Sequence, residues 1–73
     1  MTVSLKISKA RSATLSKGLQ ILDFIALNNG PVMLRQVMNE LKMTKPTAHR
    51  LLATLVDHGM VRFDSTDNTY RLG

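Results

Sequence analysis

Residues 43–55 read MTKPTAHRLLATL, a stretch that opens polar and basic and then turns strongly apolar. Thr44 is a good N-cap, because its hydroxyl can accept a bond from an unsatisfied backbone N–H. Pro46 sits in the first turn, where its missing N–H costs nothing. The spacing predicts a helix to about His58, ended by Gly59. Ala48, Leu51, Leu52, Leu55 and Val56 form its buried stripe, while Pro46, Thr47, Arg50, Ala53, Thr54 and Asp57 point the other way. Lys45, Thr47, His49 and Arg50 crowd its first two turns.

Working outward, Leu34, Val37, Met38 and Leu41 fall at i, i+3, i+4 and i+7, the spacing of a short helix with one face on a core. Lys42, Met43 and Thr44 break it from the helix that follows. Upstream, a longer helix is expected from about Leu15 to Asn28, with Thr14 as N-cap and Asn29-Gly30-Pro31 as the stop. There Gly30 would supply the left-handed residue. Its core face is expected to hold Leu15, Gly18, Leu19, Leu22, Ile25 and Ala26. Phe24 and Leu27 fall on the opposite side, near Gln20 and Lys17, where they either contact a second subunit or a linker helix or cover a neighbouring loop or the N-terminal arm. Downstream, Val61 and Phe63 alternate with Arg62, and Tyr70 and Leu72 with Arg71, around the tip Asp64-Ser65-Thr66-Asp67-Asn68. That pattern is a hairpin.

Helix, helix, tight turn, helix and hairpin is the order of a winged helix-turn-helix: mainly α, three helices, with a small β-hairpin. In this arrangement the last helix lies in the DNA major groove, its N-terminal residues at the base edges and its later half in the core. A polar start and an apolar continuation follow from that. The Arg50 fork can bond guanine O6 and N7 together, and Thr47 can touch a base or a thymine methyl. Lys45 and the free N–H groups at the helix start suit phosphate, since the helix dipole is positive there. His49 can approach phosphate, and Arg62 and Arg71 can grip the backbone from the outward side of the hairpin. The expected DNA-binding set is therefore Thr44, Lys45, Pro46, Thr47, His49, Arg50, Thr54, Arg62 and Arg71. The acidic wing tip, with Asp64 and Asp67, is not expected to enter the minor groove deeply.

Composition agrees with a polyanionic partner. In 73 residues, ten Lys and Arg against five Asp and Glu leave a net charge of +5, with a pI near 10.3. A chain of this length makes one domain at most and leaves little room for an elaborate active site. Without cysteine there is neither a disulfide framework nor a thiolate metal site, which suits a reduced, cytoplasmic domain. No apolar run approaches a membrane span. The first seventeen residues carry Lys6, Lys9, Arg11 and Lys17 and no acid. They lack the amphipathic stripe of a transit peptide, so residues 1–13 read as a flexible basic arm and 14–73 as the DNA-binding domain.

The segments LSKGLQILDFIA, LRQVMNELKMTKPTAHRLLATLVDHGMV and TYRLG resemble the N-terminal DNA-binding domain of the IclR family of bacterial transcriptional regulators. The likeness covers about residues 13–73, and TAHRLLATL, Gly59 and the closing YRLG are its most specific parts. It implies a repressor or activator acting as a dimer or tetramer on a palindromic operator. It further implies a linker helix and a C-terminal domain that binds a small-molecule effector, both beyond this chain. Two positions depart from the family pattern. Lys42 stands where Gly usually ends the second helix, so another residue must turn left-handed or the turn must close differently. Met33 stands where a capping Ser or Thr is usual.

Other chemistry is weakly supported. His49 and His58 are nine apart, not the i, i+4 pair that chelates a metal on one helix face, and His58 reads as a structural or solvated histidine. No nucleophile, base and orienting group come together, so no enzyme, cofactor or metal is expected. The five Met scatter among core positions and the start of the chain, which core filling explains better than a binding box does. The alternative function is a winged-helix protein-interaction module, because fold alone does not fix function.

Overall fold

The computed structural model describes residues 12–73, and the basic residues Lys6, Lys9 and Arg11 of the expected arm lie outside them. The elements run α1 (Ala13–Asn28), β1 (Val32–Met33), α2 (Leu34–Leu41), α3 (Lys45–Asp57), β2 (Val61–Asp64) and β3 (Thr69–Leu72). Three helices and a small antiparallel sheet make a winged helix-turn-helix, as the residue pattern predicts. The sheet has three strands in the order β1-β3-β2, not the two of a bare hairpin. Val32 pairs with Tyr70 and Met33 with Thr69, which stitches the start of α2 to the wing.

The core is Ile21, Ile25, Val32, Val37, Ala48, Leu51, Leu52, Val61 and Tyr70, so every element contributes. The expected stripes of α2 and α3 hold. Val37 is buried with Leu34, Met38 and Leu41 packed against it, and Ala48, Leu51 and Leu52 are buried with Leu55 and Val56 beside them. The expected face of α1 holds in part: Gly18 and Ile25 are buried and Leu22 packs against the core, but Ala26 is exposed. Leu15 and Leu19 are 63% and 52% exposed, while Ile21 is fully buried. At 100° per residue the true face is rotated by about 60° toward Ile21. Apolar residues surround α1 on most sides, so periodicity alone does not choose among them; packing against α2, α3 and β3 does. Phe24 lies on this face, half-buried against the core, and Leu27 remains exposed.

Helix ends explain the rest of the path. Ser12, not Thr14, caps α1, its Oγ accepting from the Leu15 N–H at 3.1 Å. Asn29, not Gly30, takes the left-handed conformation at its end, with φ 56°. Lys42 turns left-handed itself, φ 53°, and the Met43 N–H reaches back to the Met38 carbonyl at 3.0 Å. The turn between α2 and α3 thus closes without glycine. At the start of α2, Met33 offers no side-chain cap, but the Gln36 side chain accepts from the Met33 N–H at 2.7 Å. After α3, the Gly59 N–H bonds the Val56 carbonyl and the Met60 N–H the Leu55 carbonyl. That pair is a Schellman closure, and Gly59 at φ 76° provides its left-handed residue.

Candidate nucleic-acid interface

Packing decides which side of α3 stays free. With Ala48, Leu51 and Leu52 in the core, Lys45, Pro46, His49, Arg50 and Thr54 are exposed and Thr47 is half-buried. Two of the polar groups do something other than what their sequence positions suggest. The Thr44 hydroxyl makes no capping bond to the helix backbone; it donates to the Thr47 hydroxyl at 3.0 Å. The first N–H groups of α3 therefore lack a side-chain cap, which leaves them for an outside acceptor. The Thr54 hydroxyl donates back to the Arg50 carbonyl at 2.9 Å and is thus engaged within its own helix. His58 is bound to its own helix, its Nδ1 lying 3.0 Å from the Thr54 carbonyl.

The wing adds a second basic surface. Register pairs Val61 with Leu72, Arg62 with Arg71, Phe63 with Tyr70 and Asp64 with Thr69. Directly opposed residues share a face, so Val61, Phe63, Tyr70 and Leu72 lie on the core side and Arg62 and Arg71 on the outer side. Phe63 and Leu72 are nonetheless 44% and 45% exposed, because the core ends before them. The Phe63 and Tyr70 rings meet with centroids 4.8 Å apart at 47°. At the tip, the Asp64 carboxylate accepts from the Thr66 N–H at 2.9 Å, and that bond, more than the nearby Arg71 and Arg62 charges, holds its pKa below the ordinary value. Asp64 also lies 4.0 Å from the Arg71 guanidinium. The acidic tip is thereby spent inside the wing.

The fold brings α1 to the free face of α3, which the sequence pattern did not foresee. Ala13, Thr14 and Lys17 line one cleft with Thr47, Arg50 and Leu51. Lys17 stood out in the sequence as part of a basic segment and as a neighbour of Phe24 and Leu27; its place in one cleft with Arg50 depends on how α1 crosses α3. Among the described residues no helix is long and apolar enough to cross a membrane.

Residues 14–65 match the family described as the IclR helix-turn-helix domain. Transcriptional repressor IclR of Escherichia coli strain K12 is 39% identical over 49 residues, 67% of this chain and 18% of that protein. HTH-type transcriptional regulator BhcR of Paracoccus denitrificans is 36% identical over 59 residues, 81% of this chain and 21% of that protein. The chain therefore spans about a fifth of the length of these curated relatives. Among solved structures, an IclR family transcriptional regulator from Brucella abortus superposes with TM-score 0.80 at 26% identity, covering 89% of this chain and 25% of that one. Pseudomonas aeruginosa HmgR gives TM-score 0.77 at 26% identity, covering 85% and 26%.

Proposed function

The chain belongs to the IclR helix-turn-helix family, and from that premise we propose that it binds double-stranded DNA sequence-specifically to regulate transcription in the bacterial cytoplasm, with α3 in the major groove of an operator half-site. The observation that carries this reading is the position of Arg50. It is exposed on the outward face of a helix whose opposite face is core, which supports a role for its planar donor fork at a guanine edge. Thr47 and Thr54 flank it as base or thymine-methyl contacts. Lys45, His49, Thr44 and the uncapped N–H groups beside Pro46 take phosphate, and Arg62 and Arg71 take the backbone at the wing. No step of this reading needs an enzyme activity or a cofactor. The relatives that match are regulators by name. In a longer chain, joined domains would act as a dimer or tetramer on a palindrome, and a small-molecule effector would act through a C-terminal domain.

Selection from a randomised duplex pool, followed by titration of the 73-residue chain, tests the reading. Arg50→Ala should cost about 1–3 kcal/mol on the selected duplex and relax preference at one base position, while Lys45→Ala should weaken all duplexes alike. Failure of the wild-type chain to bind any duplex with salt-sensitive affinity would favour a protein-docking role instead.

A further inference from the structure

We propose that Lys17, with Thr14 beside it, holds the DNA backbone phosphate next to the base pair that faces Arg50. The inference rests on the DNA-binding reading and adds α1 to its contact surface.

The cleft between α1 and α3 presents two cations, Lys17 and Arg50, and two hydroxyls, Thr14 and Thr47, and among the described residues no carboxylate lines it. Among the described residues, the ion pair of the domain is Arg71 with Asp64, and neither Lys17 nor Arg50 takes part in it. The first turn of α1 is also free of acid. An ammonium at such a cleft without a carboxylate to pair with is free to take an outside anion.

Groove dimensions say which anion. An α-helix with its side chains is about 10–12 Å across and the major groove about 12 Å wide, so α3 fills it. A helix packed beside α3 cannot enter as well. Its residues nearest the outward face of α3 meet the phosphate wall of the groove, and on α1 those residues are Thr14 and Lys17. A lysine suits that place. Its ammonium is a compact point charge with three rotatable donors, which meets phosphate oxygens without demanding the fixed geometry that base reading requires. Lys17 thus sets how deeply and at what angle α3 sits, and Arg50 reads the base.

The test is a binding titration by fluorescence anisotropy of the full 73-residue chain, as wild type, Lys17→Ala, Lys17→Arg, Lys45→Ala and Arg50→Ala. Each is titrated against a random-sequence duplex and a duplex selected from a randomised pool, over a range of salt. Lys17→Ala should weaken both duplexes by the same factor and lower the salt slope by about 1, so that its loss of affinity from 50 to 200 mM salt is roughly threefold smaller than that of the wild type. Lys17→Arg should keep the wild-type slope. Lys17 is exposed, so an unchanged unfolding midpoint in both variants separates lost contact from lost fold. An unchanged slope in Lys17→Ala, with Lys45→Ala and Arg50→Ala still impaired, would overturn the assignment of Lys17 and leave the DNA reading standing. No salt-sensitive binding by the wild type would overturn both.

Discussion

Arg62 and Arg71 stand directly opposite each other across the wing, and of the two Arg71 has the counter-ion, Asp64 at 4.0 Å. Like charges paired across strands destabilise a hairpin, and the exposed ion pair at Arg71 offsets little of that. The arrangement favours contact with a polyanion over stability of the free domain. Arg62→Ser should therefore raise folding stability by about 0.2–1 kcal/mol in a urea titration while lowering the salt slope of DNA binding by about 1. Loss on both counts would mean that Arg62 supports the wing structurally.

The wing also fixes how stability responds to pH. The Thr66 N–H bond, then the Arg71 and Arg62 charges, hold the Asp64 pKa below its ordinary 3.8. A depressed carboxylate stabilises the fold above its unfolded pKa and stops doing so as pH falls through the folded value. Asp64→Asn should thus flatten the acid limb of the stability profile below about pH 4 and leave neutral behaviour nearly unchanged. Burial acts in the opposite direction on Tyr70, raising its pKa above 10.0. The folded state keeps the phenol neutral, so stability is intact below 10.0 and falls as pH rises through the folded value. Tyr70→Phe should remove that alkaline loss, as followed by unfolding at a series of pH values.

Core substitutions distinguish the true face of α1 from the expected one. Ile21 is fully buried and Leu19 is 52% exposed. Ile21→Ala should cost about 2–5 kcal/mol, enough to unfold much of a domain this small. Leu19→Ala should cost well under 1 kcal/mol by comparison. Similar losses in thermal unfolding would show that Leu19 is covered in solution.

The same contrast marks what was legible in the residues. Helices α2 and α3 were readable because each shows one apolar stripe between firm stops, Lys42 to Thr44 and Gly59. The strand β1 was not, since two residues carry no periodicity and Val32 becomes a strand only through Tyr70, far along the chain. Arg50, Thr47 and Lys45 were readable as a polar start to an apolar helix. Lys17 was not, because its place in one cleft with Thr47 and Arg50 depends on the packing of α1 against α3, which apolar residues on most sides of α1 leave open. Asn29 took the left-handed position expected of Gly30 because a short amide side chain tolerates it.

Lys42 carries a backbone conformation that glycine adopts more easily, φ 53° at the end of α2. A side chain there costs roughly 1 kcal/mol relative to glycine, partly offset by the greater freedom glycine has when unfolded. Its side chain is exposed, so nothing packed is lost on removing it. Lys42→Gly should raise stability by up to about 1 kcal/mol, or roughly 4–8 °C in thermal midpoint for a chain of this size. DNA affinity should change little unless the Lys42 ammonium reaches phosphate, which a lowered salt slope would reveal.

Affinity gives the last expectation, because one helix is a small reader. A single α3, reading roughly four base pairs through Thr47, Arg50 and their neighbours, falls short of the affinity that dimeric regulators reach on paired half-sites. Joining two domains makes the second contact intramolecular, a gain that reaches about 10²–10⁴-fold with no new contact. Half-sites one or two DNA turns apart are the geometry that permits it. The exposed Leu27, 84% accessible and lining one cleft with Phe24, is a place on α1 where two copies could already meet without a linker. A parallel coiled coil fused after Gly73 should therefore tighten binding to a palindromic selected site by at least a hundredfold at fixed salt, and leave binding to a single half-site nearly unchanged. Equal affinities with and without the fusion would mean that the 73-residue chain dimerises by itself, and Leu27→Ser would then be the variant that separates the copies in sedimentation.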